Sequence, residues 1–321
     1  MFRPLVLVLA WLVTALAWAQ AYPSKPVRIF VTIGPGAAAD VLTRMVGEKL
    51  APRLGQPIVI ENRAGAGGNI AADAVAKSAP DGYTLLMASS STHGANVSVY
   101  PKLPFDPIKD FAPVVLVATN PNVLVVPPSL GVNTLAELLA LAKQKPGELT
   151  YASGGTGTSM HISGEVLAML GGVKLQHIPF RSTPDAINAA LAGEVSMTFA
   201  SAPTAMSQVK AGRLKALGVT SEKPLSSLPE VAPLAAQGLA GFDVSAWFGL
   251  AAPAGTPEPI IKRLNSETLA VLAMPEMREK FVALGMEPLG STPAEFGAFI
   301  RSEIKRLGDV VRVLSGDTAA R

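Results

Sequence analysis

The chain has 321 residues, 27 Lys plus Arg against 24 Asp plus Glu, a formal net charge of +3 and no cysteine. Without cysteine there are no disulfides, thiolate metal sites, cysteine nucleophiles or lipoprotein anchor, and the near-balanced charge, with no dense Lys/Arg run or basic-aromatic cluster, argues against a nucleic-acid partner. At 49% apolar and 16% charged, the chain can bury an ample core, and its length predicts two domains rather than one.

Residues 1–21 hold Arg3, an apolar run from Leu5 to Trp18, and small residues at Ala17, Ala19 and Ala21. This is the pattern of a secretory signal peptide, cleaved before Gln20 or Tyr22; the apolar run is short for a membrane span and Pro23 follows at once. An exported protein is expected.

Strand-like and helical patterns then alternate: a strand at Val27–Ile33, a helix from about Asp40 to Leu54, a strand at Ile58–Ile60, a helix at Asn69–Ala76 and a strand at Thr84–Ala88. Such alternation predicts βαβ units around a parallel sheet. A turn-rich segment with Pro101, Pro104, Pro107 and Pro113 leads to two extended runs, Val114–Ala118 and Val123–Val126. A second series follows, with helices at Thr134–Lys145 and Met160–Leu170 and strands near Thr150–Ala152, Gln176–Ile178, Val195–Phe199 and Leu214–Val219. Ala246–Ala251 reads as one more strand, and the C-terminal third as helical, with Pro257 and Pro293 as helix starters. The fold class predicted is α/β, a hinged two-lobed clamshell in which each lobe is a mainly parallel sheet flanked by helices. The expected lobes are residues 22–122 plus 246–321 and residues 123–245.

Four turns at the carboxyl ends of predicted strands have the composition of ligand-cradling loops, where open α/β sheets bind ligands. They are Gly34–Asp40, Arg63–Asn69, Ser89–Gly94 and Ser153–Ser159. Glycines let the backbone approach a ligand, free N–H groups at helix starts attract anions, and Ser or Thr hydroxyls add donors. Taken singly, each loop also reads as turn chemistry with helix capping, Asp40, Asn69 and Ser159 being the N-caps. Asp40 otherwise reads as an acceptor for a ligand hydroxyl or ammonium. Arg181, after the strand ending at Pro179, could fork onto a distal carboxylate. Trp247 and Phe248 are expected to pack between the lobes or to wall the cleft.

Two rival chemistries are open at the same loops. Gly34-x-Gly36-x-x-Ala39 with Glu61 at the end of the next strand matches a loose dinucleotide fingerprint, which would make the chain an exported nucleotide-dependent oxidoreductase. Pro35 inside the turn, the late acid and export all speak against it. Ser159 and His161 suggest a hydrolase, but the elbow lacks its final glycine, and two residues apart on one helix start is unlike the usual triads. His93, His161 and His177 have no metal-site spacing and no P-loop occurs, so no cofactor and no metal are expected.

Several segments carry a whole-chain resemblance: Tyr22-Pro23-x-Lys25-Pro26-Val27-Arg28, Pro35-Gly36 with Asp40, Glu61 to Gly68, Pro80 to Leu86, Leu103 to Pro107 with Asp110-Phe111, Tyr151-Ala152-Ser153-x-Gly155-x-Gly157, His161 with Glu165, Pro179-Phe180-Arg181, Leu217 to Ser221, and Ala252 to Pro257. The sequence resembles the extracytoplasmic solute receptors of the tripartite tricarboxylate transporter group, the TctC or Bug family of periplasmic binding proteins. The resemblance implies a monomeric two-lobed receptor in the periplasm, not an enzyme, that closes on a small organic carboxylate and hands it to membrane permease subunits. It implies that the ligand is held at Gly36, Ala37 and Ala38, at Gly65, Ala66 and Gly67, at Ser89 and Ser90, and at Thr156, Gly157, Thr158 and Ser159, largely through backbone N–H groups, with Asp40, His161 and Arg181 as further candidates. Phe180 stands where the family usually has Tyr; the lost phenol removes a donor and implies a ligand less polar than a tricarboxylate.

Overall fold

The computed structural model describes residues 22–180 and 183–314, with side chains through Val310. The predicted leader, Arg181 and Ser182 lie outside the described residues.

The apolar runs of the first third become β1 (Val27–Val31), β2 (Ile58–Asn62) and β3 (Thr84–Ser89), paired in parallel in the order β2-β1-β3. Their connections are α1 (Ala38–Leu54) and α2 (Asn69–Ala76), and a short α3 (Asn96–Val99) follows β3. The central strand of the molecule is β4 (Phe111–Val126), and the chain then runs through α4 (Leu135–Gln144), β5 (Thr150–Ser153), α5 (Ser159–Gly171), β6 (Gln176–Pro179), α6 (Thr183–Ala192), β7 (Met197–Ser201), α7 (Ala202–Lys210) and β8 (Lys215–Val219). It returns in β9 (Ser245–Pro253) and ends in α8 (Glu258–Leu272), α9 (Pro275–Ala283), β10 (Glu287–Pro288) and α10 (Pro293–Leu314).

The first lobe is the sheet β2-β1-β3-β9-β4, with β9 antiparallel to both neighbours and β10 on the far edge of β4. In the second lobe the end of the same β4, Asn122–Val126, lies antiparallel between β7 and β8, and β5 pairs in parallel with β7 and β6. Strands β1–β4 thus share one direction in the first lobe, as β5–β8 do in the second, and the fold is a two-lobed α/β architecture. Each lobe has its own apolar core, the first built around Ile29, Leu85, Val115 and Leu250, the second around Leu124, Tyr151, Phe199 and Leu234.

The two extended runs expected at Val114–Ala118 and Val123–Val126 are one strand. A proline removes a ladder donor and is tolerated where pairing is irregular, and both prolines of β4 sit at such places. Pro113 falls at a register shift against β9, and Pro121 at the point where β4 leaves β9 for β7 and β8.

Helix α10 spans both lobes. Near its start Phe296 and Ile300 pack with Leu116 and Trp247, whereas Leu307 and Val310 join the core of the second lobe. Trp247 donates its indole N–H to Glu303 at 3.0 Å, and Arg306 forks onto the same carboxylate at 2.7 and 2.9 Å. Trp247 is therefore buried against α10 and does not wall the cleft.

Candidate functional site

The loops after β1, β2, β3 and β5 meet where the two sheets face each other. Helix α1 starts at Ala38, two residues before the sequence pattern places it, with Ala37 in extended backbone as its N-cap. Asp40 is accordingly not the N-cap. From the first turn its Oδ2 reaches back to accept the N–H of Gly36, the residue just before the N-cap, at 2.9 Å. Arg44, one turn on, forks onto both carboxylate oxygens at 2.9 and 3.1 Å, and Asn62 donates to Oδ1 at 2.8 Å and to the Ile33 carbonyl at 2.9 Å. Burial pushes the Asp40 carboxyl up, but Arg44, the Gly36 N–H and Asn62 together outweigh it and hold the group below its ordinary value. Asp40 is thus charged and engaged inside the protein, and the Gly36 N–H is committed to it. The N–H groups of Ala38, Ala39 and Asp40 have no hydrogen-bond partner among the described residues, as expected for a first helical turn.

In the second loop Gly65, Ala66, Gly67 and Gly68 all have positive φ, and this run turns the chain so tightly that α2 begins at once. Added methyl groups would meet Ile70 at Gly65 (2.6 Å), the Tyr100 hydroxyl at Gly67 (2.9 Å), and Thr32 and Thr92 at Gly68 (2.8 Å). Gly68, not Asn69, is the N-cap of α2. The Asn69 side chain instead accepts from Asn96 Nδ2 at 2.7 Å, and the same amide donates to the Gly67 carbonyl at 3.0 Å.

Ser89 and Ser90 are buried at the start of the third loop. The Ser90 N–H donates to the Trp247 carbonyl at 3.1 Å, tying the loop to β9, and the Ser89 N–H donates to Thr92 Oγ1 at 3.2 Å. His93 is fully buried between Phe105 and Phe111, and desolvation pushes its imidazole down to about 3. It faces the core and not the cleft.

The second lobe contributes Ser153–Ser159. Thr158 is the N-cap of α5, accepting the His161 N–H at 3.4 Å and donating to the Gly155 carbonyl at 2.7 Å; Ser159, expected in that role, opens the helix and accepts from Asn122 at 3.1 Å. The backbone N–H groups of Thr156, Ser159 and Met160 have no partner among the described residues. His161 turns beneath the loop, its Nδ1 3.3 Å from the Gly157 N–H and its Nε2 3.8 Å from Glu165.

Gly157 is one of the points at which the lobes touch. Its carbonyl accepts from Ser91 Oγ at 3.2 Å, and a methyl on it would lie 3.1 Å from Asn96 Oδ1. Beside this seam Ser90, Ser159 and Ser245 help to line a cavity of about 10 Å³, the space of a single water. Fourteen of the fifteen candidate site residues therefore lie in the four converging loops or at their helix starts, and Arg181 lies outside the described residues. Sequence reasoning missed Asn96, which carries no motif and gains its place only when the loops after β2, β3 and β5 meet, and it named Ser91 within the third loop without a contact of its own. The dinucleotide reading loses its physical basis: the Gly36 N–H is occupied by Asp40, and Glu61 is paired with Arg28 at 3.5 Å and Arg63 at 3.2 Å.

Comparison with known proteins shows the family and the fold. The family model of the tripartite tricarboxylate transporter family receptor matches residues 42–315. Protein BugT of Bordetella pertussis is 37% identical over 295 residues, covering 92% of this chain and 90% of its own. Among solved structures, an R. palustris protein with adipate superposes with a TM-score of 0.85 at 33% identity, covering 91% of this chain and 98% of its own. MatC from Rhodopseudomonas palustris with bound malate gives 0.82 at 34% identity, covering 90% of this chain and 100% of its own. The relatives are solute-binding proteins and not enzymes, and this chain belongs to the tripartite tricarboxylate transporter receptor family.

Proposed function

We propose that this solute-binding receptor captures a small organic carboxylate between its lobes in the periplasm and presents it to a membrane permease of the tripartite tricarboxylate type. The observation that carries the reading is the pair of helix starts, Ala38–Asp40 and Ser159–Met160, with unpaired N–H groups on the two sides of the seam. Such N–H groups and helix dipoles favour an anion. The nearby carboxylates do not oppose it, because Asp40 is neutralised by Arg44, Glu61 by Arg28 and Arg63, and Glu165 lies behind the second-lobe loop. The bound adipate and malate of the two neighbours support the ligand class.

In this reading the ligand carboxylate is held by the N–H groups of Ala38 and its neighbours, by the Gly65–Gly67 turn, by Ser89 and Ser90, and by Thr156–Ser159. The lobes, residues 22–122 plus 246–321 and residues 123–245, close about the crossing strands β4 and β9. Binding shifts the open-closed equilibrium, and the closed form docks on the permease.

A thermal-shift panel of succinate, malate, adipate, citrate, benzoate, aspartate and NAD tests the ligand class. One or more of the acids should raise the melting temperature in proportion to the logarithm of concentration. Stabilisation by NAD and by none of the acids would overturn the reading.

A further inference from the structure

Behind the second-lobe loop lies a stack of side chains that the proposed contacts do not use. The imidazoles of His161 and His177 are 4.3 Å apart, and the Tyr151 ring lies on His177 at 4.9 Å. Tyr151 donates its hydroxyl to Glu165, and α5 presses on the same ring at Gly164, where a methyl would lie 2.1 Å from Tyr151 Cε2. The stack is therefore packed without slack.

Each histidine supports one end of the loop. His177 Nε2 lies 2.6 Å from Ser153 Oγ, which accepts the Gly155 N–H at 3.1 Å. His161 Nδ1 accepts the Gly157 N–H at 3.3 Å. We propose that His161 and His177 are positioning residues for the Ser153–Ser159 loop, and that proton uptake by this pair releases the loop and, on the receptor reading above, weakens ligand retention.

The chemistry follows from what a nitrogen can accept. Only an unprotonated Nδ1 can take the Gly157 N–H, so the His161 proton sits on Nε2, toward Glu165. Protonating Nδ1 sets one donor against another and breaks that bond. Gly157 is also the residue that touches Ser91 and Asn96 of the first lobe, so whatever frees it loosens the seam. The titratable groups facing the pair are Glu165 on α5, Tyr151 on β5 and the two imidazoles themselves; Arg181, beyond β6, lies outside the described residues.

Burial holds both rings below the ordinary histidine value, His177 at about 4 with His161 adding to the shift, while Glu165 draws His161 part of the way back up. The pair is thus neutral at pH 7, and two cations at this separation disfavour each other, so it titrates as a unit. The sign is fixed: the loop is held at neutral pH and released as pH falls below the ordinary histidine range.

Amide hydrogen exchange on the full mature chain, corrected for intrinsic rates, tests this without any ligand. The Gly157 N–H should lose protection at least tenfold between pH 7.5 and pH 4.5, while amides of α1 stay protected throughout. In His161→Asn, whose side-chain oxygen replaces Nδ1 as acceptor but takes no proton, protection should persist and become independent of pH. His161→Phe should expose the amide at both pH values, and His177→Phe should expose Gly155 more than Gly157. Titration with malate and adipate forms the second arm. The affinity of whichever acid binds should fall at least fivefold more in wild type than in His161→Asn over the same pH range, the acid's own ionisation cancelling in the ratio. A flat wild-type exchange profile, or one unchanged in His161→Asn, overturns the proposal. Failure of both acids to bind bears on the receptor reading alone, because the exchange arm needs no ligand.

Discussion

The loop after β1 is held by a carboxylate that is charged, forked by Arg44 and braced by Asn62, whereas the loop after β5 is held by imidazoles that are neutral and packed on Tyr151. Both present unpaired N–H groups to the same seam. The first arrangement loses its charge only in acid below the ordinary carboxylate range, and the second takes up protons before that, below the ordinary histidine value. One side of the cleft is a fixed jaw, and the other is conditional.

The sharpest way to break the contrast is steric. Gly164→Ala drives a methyl into the Tyr151 ring, and overpacking of this kind costs about 2–3 kcal/mol, which urea unfolding should show. Asp40→Ala attacks the other jaw. It leaves the Gly36 N–H without its acceptor and takes one of the two acceptors from the Asn62 amide, and, discounted for the half-exposed Arg44, should cost about 2 kcal/mol, with weaker acid binding in the same preparation.

Ala38→Pro separates ligand contact from folding. Ala38 is the first helical residue and Ala37 before it is extended, so proline fits the backbone and removes only the N–H. Loss of one donor to a charged ligand should weaken acid binding by a factor of about 10–50 with the melting temperature of the free protein held. Unchanged affinity would count against the first-lobe cradle.

Stability against pH sharpens the distinction further. His93, fully buried and held at about 3, stays neutral in the fold while the unfolded chain takes up its proton below the ordinary histidine value of about 6.5. Its stabilisation is complete above that value and is lost as pH falls toward 3, at about 1.4 kcal/mol per pH unit. His93→Phe, filling the slot between Phe105 and Phe111, should flatten the pH dependence of unfolding by that amount. Asp40 adds a later loss, as pH falls through its depressed value. The smallest effect is expected for Thr158→Ala, which removes the side-chain cap of α5 and should cost about 1 kcal/mol; α1, whose N-cap is Ala37, has no equivalent to lose.

Much of this fold is legible from pattern. Asn69–Ala76 appears as a helix with the predicted ends, and the alternation of apolar runs is enough to indicate parallel units in two lobes. The helix caps were harder to read. Asp40, Asn69 and Ser159 are all residue types that cap helices, yet each sits inside its helix, Asp40 reaching back to the Gly36 N–H and Asn69 and Ser159 accepting from the remote amides of Asn96 and Asn122. The helices Thr183–Ala192 and Ala202–Lys210 pass unseen, being short, of nine or ten residues, and interrupted near their starts by Pro184 and Pro203. The four loops are visible through their glycines and hydroxyls. The groups that support them are not: Asn96 and His177 stand 29 and 24 residues in sequence from the loop residues they bond and belong to no short motif.

The position of β9 imposes an order of assembly. It lies between β3 and β4, so the first sheet is interrupted until residue 253 has been synthesised, although three of its strands are complete by residue 89. The strands of the second sheet, by contrast, all lie between residues 122 and 219. During synthesis the N-terminal strands must therefore wait as an unfinished sheet while the middle of the chain folds. The last third then locks both together through β9 and the long helix that follows.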